Sequence, residues 1–563
     1  MTARVFAVAG LAALAGLSAC VGDAGGNGSG GSGPGGSGGS GSGGSGNGTG
    51  SGGSMPSSGG APGFSLECPK PNLGSPLERL MTRNEFEATL ADIFPEVKGQ
   101  WSDSLPASNL SAYGFDNDGA AQVGKQLAAA LVDTSLAVAT ALTGAPLANI
   151  LPCSTSSTDR ACADQFITKY GKRLFRRPVT QAERDRYLTF FDAAKAKSDF
   201  KTGLKYMIAG LIQSPNAVYR SEIGGDKGDG TRQLTPHEVA TALAYTYTGT
   251  TPSESLLAKA DSGDLGDVLG TAKTMVATEQ GKAMMQKFFE GYLAYTGVSS
   301  IARPNVQNFG SVGSQMAQET RAFINDIVLQ KGGGMKELLT APTTNPSAAL
   351  ATFYGFPAPG NDYAPVTRPS GRGLGLLAQG SFLSTHAAPD GSSPTKRGLY
   401  VYERLLCETR LPVPSDVPKL SEPQPGQKTT RQRYEDVHVK SGAACNGCHQ
   451  RFDPIGFGFE HFDEGGRYRE MESGLAIDAS GSVSKGGTKL FSFNGQEELA
   501  RGLAEQPIVN QCMAAYLATF AYGTSEACTG ASQVTALQSG SIGIAEAFAR
   551  LATEPHFTKR NSQ

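Results

Sequence analysis

Cys445, Cys448 and His449 stand in the order C-x-x-C-H, within Ala444-Cys445-Asn446-Gly447-Cys448-His449-Gln450-Arg451-Phe452-Asp453-Pro454. One helical turn between the two sulfurs lets both reach the vinyl groups of one porphyrin, and the next residue is then held under the iron as an axial imidazole. The chemistry served by this spacing is covalent attachment of one c-type haem per chain, with Cys445 and Cys448 as anchors and His449 as the proximal iron ligand. With 9 Cys and 6 His in 563 residues, random placement gives roughly 0.0015 such motifs. A zinc half-site would need a second close Cys/His pair, and the chain has no second C-x-x-C and no H-x-x-x-H. A redox dithiol would need a βαβ setting, which is not legible. A plain Cys445–Cys448 disulfide is the haem-free alternative.

An iron that only carries electrons takes a second axial ligand, whereas oxygen or peroxide chemistry leaves that position open or weakly held. The side chains able to serve are His386, His438, His461, Met471 and Met513. Phe452, Ile455, Phe457 and Phe459 would form an apolar wall against the porphyrin, or are simply core. Asp453-Pro454 reads as a turn closing the haem helix, with an outer carboxylate beside His449 as the other reading. Arg467 and Arg469 either meet haem propionates or lie in solvent.

The elements that must position these groups read as mainly α. Capping boxes at Thr82-Arg83-Asn84-Glu85, Thr180-Gln181-Ala182-Glu183 and Thr235-Pro236-His237-Glu238 predict three helix starts, with Pro95 ending the first and Pro236 at a first helical position. Leu204 to Ser214, Val239 to Tyr247, Met284 to Leu293 and Met316 to Leu329 carry helical periodicity, and a helical unit is expected from Glu497 to Leu551. The basic run Lys172, Arg173, Arg176, Arg177 reads as a solvated helix face. Strand signals are few: Leu475–Ile477 and Lys489–Phe493, separated by a Gly/Ser-rich turn, predict one small hairpin. Gly371-Arg372-Gly373-Leu374-Gly375-Leu376 lacks the strand and glycine spacing of a dinucleotide loop.

Residues 1–19 have an arginine, the apolar run Val5 to Leu17 and small residues before Cys20. This is the pattern of an export signal, too short to span a bilayer. Leu17-Ser18-Ala19-Cys20 resembles a lipobox, which makes Cys20 a lipidation candidate and the membrane a partner through an acyl anchor. Residues 20–63 are almost wholly Gly and Ser, a flexible tether whose reach for about 40 residues is roughly 35 Å. Beyond it the expected organisation is an N-terminal helical module at 64–150, a helical module at 151–225, a central helical module at 226–365, a CxxCH module at 366–475 and a C-terminal helical module at 476–563. A net charge of −2 and a pI of about 6.4, with no dense basic run, argue against a nucleic-acid partner. Setting aside Cys20, Cys445 and Cys448 leaves an even number of cysteines, as an oxidising compartment favours. Short loops suggest Cys153 with Cys162 and Cys512 with Cys528; Cys68 with Cys407 follows by elimination.

The motifs Leu80-Met81-Thr82-Arg83-Asn84-Glu85-Phe86, Leu174-Phe175-Arg176-Arg177-Pro178-Val179-Thr180, Ser393-Pro394-Thr395-Lys396-Arg397-Gly398, Cys448-His449 with Asp453-Pro454-Ile455-Gly456, Phe462-Asp463 and Gly466-Arg467-Tyr468-Arg469 occur in that order. In this the chain resembles the multidomain secreted proteins of planctomycetes and myxobacteria, whose modules are domains of unknown function with a cytochrome-c-like CxxCH. The resemblance implies an exported haem protein without an established reaction. It also implies His386, in Thr385-His386-Ala387-Ala388-Pro389-Asp390, as first candidate for the distal ligand and His438 as second, and favours packing for His461. Where that family tends to have Tyr-Ala-x-Gly-Arg, this chain has Phe520-Ala521-Tyr522-Gly523-Thr524.

Three functions follow as expectations. The first is an outer-membrane lipoprotein, at the periplasmic or cell-surface side, whose c-type haem passes electrons between unidentified redox partners. The second is a haem oxidoreductase acting outside the cell on peroxide, oxygen or a polymer. The third is a haem-free, disulfide-stapled surface binding protein.

Overall fold

A computed structural model describes residues 73–99, 105–119, 121–409, 428–439, 443–523 and 536–562. Cys20, Cys68 and Cys528, with the export signal and the tether, lie outside the described residues. The described chain is mainly helical with a few small hairpins. Each capping box starts a helix: Thr82, Thr180 and Thr235 accept from the backbone N–H of Glu85, Glu183 and Glu238, which return the bond from their carboxylates. The helices that follow are Arg83–Ile93, Gln181–Lys195 and Pro236–Thr248. Among the described residues no helix is long and apolar enough to cross a membrane.

Apolar side chains gather into two cores. One is built by residues between Met81 and Val218, joined by Tyr245; the other holds Tyr113, Phe115 and the apolar residues from Leu234 to Phe557. The stretches read in sequence as central, CxxCH and C-terminal modules therefore share one core. At the junction, strand Leu77–Leu80 pairs antiparallel with Tyr219–Glu222. There Arg79 makes a fork to both Glu222 carboxylate oxygens, at 2.9 and 3.1 Å. Arg79 also donates to the Tyr522 carbonyl and Arg560 to Glu222, all within the interior. These charges are buried and paired, the condition under which burial is tolerated.

Three sequence expectations are corrected. The basic run is not a solvated face throughout. Arg176 is buried with φ 58° and donates to the carbonyls of Leu174, Asn216, Ala217 and Tyr219, whereas Lys172, Arg173 and Arg177 pair with Asp261, Asp92 and Glu183. Next, the single hairpin becomes two. Leu475–Ala476 pairs with Met471–Glu472, and Thr488–Asn494 pairs with Ser480–Lys485. The Ser/Gly composition of the latter strand reads as a turn, yet Val483 is fully buried. The real turn is Gly486-Gly487, both with φ above zero, as a two-residue hairpin loop requires. Finally, Cys153 is bonded to Cys162, but Cys512 is bonded to Cys407, which overturns both the Cys512–Cys528 and the Cys68–Cys407 pairings. Cys512 lies mid-helix in Pro507–Tyr522 and faces the core, so its partner comes from across that core, 105 residues away.

The CxxCH helix, Ala443–Gly456, packs against helix Pro394–Tyr400. A Cβ on Gly398 would lie 1.9 Å from the Phe452 carbonyl oxygen, and one on Gly456 would lie 1.9 Å from that of Pro394. The two backbones touch, and only glycine permits it. From the other side Gly481 of the hairpin sits where a Cβ would be 2.1 Å from the Pro454 carbonyl oxygen. Next to this contact Arg397, fully buried, donates to the carbonyls of Leu383, Phe459, Phe462 and Asp463. Burial pulls its pKa down to about 10, so it stays charged at neutral pH. Glu460 is buried nearby, accepting from Ser392 Oγ at 2.8 Å with Arg469 at 3.7 Å. Burial outweighs both arginines and pushes its pKa up to about 7.

Two outcomes are expected. Gly398→Ala and Gly456→Ala each lower unfolding stability by about 1–3 kcal/mol or more through overpacking. Gly447→Ala, on the same helix but with nothing within 4 Å of its Cβ, gains up to about 1 kcal/mol; denaturant titration distinguishes them. For Glu460, a folded pKa above the unfolded value means extra protons bound when folded. Its contribution therefore falls as pH rises from about 4.5 to about 7, by on the order of 3 kcal/mol. Glu460→Gln matches the parent at pH 4.5 and exceeds it at pH 8 in chemical denaturation.

Candidate functional site

Cys445, Cys448 and His449 lie on the first turns of the CxxCH helix. The two thiols are half-buried and are not bonded to each other, which departs from the disulfide alternative. The helix also runs through Asp453 and Pro454 to Gly456, so this pair is not the closing turn the sequence suggested. Pro454 stands inside the helix and has no N–H to give the carbonyl four residues back.

Keeping Asp453 helical places it one turn after His449, on the same face. Its Oδ2 accepts from His449 Nδ1 at 3.0 Å and from His438 Nδ1 at 2.7 Å, while Oδ1 accepts from Thr395 Oγ1 at 2.6 Å. All three partners are buried, as is Asp453. Burial pushes the Asp453 carboxyl up, but the histidine hydrogen bonds outweigh it and hold the group below the ordinary carboxylate value. Thr395 reaches in from helix Pro394–Tyr400, and its hydroxyl is also 3.5 Å from His449 Nδ1. His438 arrives on the π-helical turn Glu435–Val439, an element that often marks functional positions. Its ring stacks on His449 with centroids 3.5 Å apart and planes inclined by 27°. Tyr434 packs edge-on against His438 at 5.1 Å and is held through its hydroxyl to Ser393 Oγ.

This arrangement fixes the His449 tautomer. With Nδ1 donating to a carboxylate, Nε2 carries the lone pair, and among the described residues no hydrogen bond engages it. That donor set, two unbonded thiols one turn apart followed by an imidazole oriented through Nδ1, fits a c-type haem. His438, His449 and Asp453 are also close enough together to hold a metal ion among themselves.

The structure brings His438, and not His386, to His449. His386 ends helix Gly380–Thr385, buried against Phe382 at 4.9 Å and Tyr400 at 4.8 Å. Burial drops its pKa to about 3, so the ring is neutral, and its buried Nε2 has no hydrogen-bond partner. Tyr400 follows Thr395 by five residues, about 140° around their helix. His386 and His449 thus sit on different sides of that helix. His438 does not face His449 as an opposed axial ligand would, because both rings point Nδ1 at one oxygen.

Of the remaining sequence candidates, Phe452, Ile455, Phe457 and Phe459 are buried, with the Phe452 ring 5.1 Å from that of His449. Arg467 pairs with Asp463 at 2.8 Å, and Arg469 with Glu472 at 3.2 Å. His461 donates from Nδ1 to the Arg469 carbonyl and stacks on Tyr468. Met471 is exposed and Met513 is in the core. Thr395 and Tyr434 are the site residues that sequence reasoning gave no role. For Asp453 the outer-carboxylate reading holds: it is a carboxylate four residues after the motif histidine on the same helix.

Family models match four stretches of the chain, each described as a protein of unknown function. They are PSD3 (DUF1587) at residues 79–144, PSD5 (DUF1595) at 162–222, PSD4 (DUF1592) at 234–356 and PSCyt3 (DUF1588) at 373–472. No curated protein and no solved structure matches it. Cys445, Cys448 and His449 lie inside the PSCyt3 stretch, and through the four matches the chain is similar to multidomain proteins built of cytochrome-c-associated modules of unknown function.

Proposed function

We propose that this chain is an exported, lipid-anchored c-type haem protein that transfers single electrons. The observation that carries the reading is the pair of unbonded thiols on one helical turn, followed by a buried imidazole held through Nδ1 by Asp453. A bound c-type haem supplies one-electron exchange at its iron. The chain's own residues do the rest: Cys445 and Cys448 anchor the group, and His449 presents Nε2. Asp453 and Thr395 fix the ring, and Phe452 and its apolar neighbours exclude water. The PSCyt3 match over this stretch supports a cytochrome-related role. On the same reading Cys20 is acylated and the Gly/Ser tether carries the folded part clear of an outer-membrane or cell-surface leaflet, where an unidentified redox partner meets it. The module boundaries proposed from sequence, with the CxxCH module at 366–475, belong to this reading.

The test is full-length protein made in the periplasm of a host with cytochrome c maturation genes, measured by pyridine haemochrome spectrum, intact mass and bound-metal analysis. The parent gains one covalent haem with a thioether-type α band, and Cys445→Ser/Cys448→Ser gains none. Parent protein without haem, where a control cytochrome is loaded, overturns the reading, as does stoichiometric zinc or another non-haem metal that is lost on His449→Ala.

A further inference from the structure

Haem attachment needs two thiols and one imidazole; it does not need a carboxylate shared between two histidines. Asp453 Oδ2 serves His449 at 3.0 Å and His438 at 2.7 Å, and Oδ1 serves Thr395. We propose that Asp453 is a positioning residue that strengthens His449 as an iron ligand, and that His438, by taking the shorter bond to the same oxygen, limits that strengthening. The inference rests on the haem reading above.

A neutral imidazole that donates Nδ1–H to an ionised, buried carboxylate gains electron density at Nε2, because charge-assisted hydrogen bonds are stronger than those to a carbonyl and the interior screens them poorly. An axial ligand so enriched favours the oxidised iron. How much reaches His449 depends on how the carboxylate's charge is divided. His438 and Thr395 each draw on it, and His438 is held to that task from both sides, by the His449 ring at 3.5 Å and by the edge of Tyr434 at 5.1 Å. The ring of His438 is therefore a fixed competitor rather than a mobile one. Removing the acceptor and removing the competitor must then move the midpoint potential in opposite directions, which a purely structural role for either residue does not do.

The experiment is spectroelectrochemical titration at fixed pH of haem-loaded full-length parent, Asp453→Asn, His438→Phe and Thr395→Val, with covalent haem content measured on each. Asp453→Asn keeps the shape and removes the charge; its potential rises by at least a tenfold change in the one-electron equilibrium, about 59 mV. His438→Phe keeps the stacked ring and loses the donor; its potential falls, and Thr395→Val falls by less. Haem-loaded variants whose potentials do not move, or that all move the same way, overturn the inference while leaving haem attachment intact. A parent that carries no haem overturns the attachment reading instead. Should Asp453→Asn fail to fold or load, the two remaining variants decide: both must fall.

Discussion

Everything at the site depends on the bare contact between helix Pro394–Tyr400 and the CxxCH helix. Two glycines, Gly398 and Gly456, bring backbone against backbone, and that closeness sets the reach of the short side chains between them. Thr395 reaches only through Cβ to its hydroxyl, yet it meets Asp453 Oδ1 at 2.6 Å; helices set wider apart would leave that oxygen without its partner. The same approach carries Arg397, two residues on, into the carbonyl cluster from Leu383, Phe459, Phe462 and Asp463. A buried guanidinium is tolerated only where nearly all its donors are used. Arg397 therefore fixes the loop after the CxxCH helix as firmly as the glycines fix the helix itself.

What was legible in the sequence was local. Capping boxes mark helix starts because the cap, its acceptor and its return bond all fall within four residues, and all three stand where the residues put them. The C-x-x-C-H is legible for the same reason. What could not be read was set by contacts between distant segments. Ser480–Lys485 has the composition of a turn and is a strand because Val483 fills a gap in the core and Gly481 fits under Pro454. Cys512 meets Cys407 because its helix turns that face inward. Arg176 looked like part of a solvated basic face, but its left-handed backbone sends it under the carbonyls of residues 216 to 219.

The site divides along the same line. Cys445, Cys448 and His449 announce themselves; their supporting groups do not. His386 and His438 are indistinguishable as sequence letters, and only packing separates them. One has an unpartnered nitrogen among aromatic rings, the other a hydrogen bond to the carboxylate that also holds His449. Asp453 was legible only as the second of two readings: Asp-Pro suggests a turn, and the outer carboxylate beside His449 holds because the helix continues and aligns residue 453 with residue 449.

Asp453 and Glu460, seven residues apart and both buried, show how burial alone does not decide a carboxyl's state. Each pays desolvation, but Asp453 receives three hydrogen bonds directly on its two oxygens and is held below its ordinary value. Glu460 has one such bond and two arginines at greater remove, one of them, Arg397, already committed to backbone carbonyls. Its other oxygen has no partner, and its pKa rises instead. Direct donors stabilise a buried anion more than charge at a distance does. The chain thus keeps one buried carboxylate ionised at His449 and lets the second one, outside that hydrogen-bond set, approach neutrality.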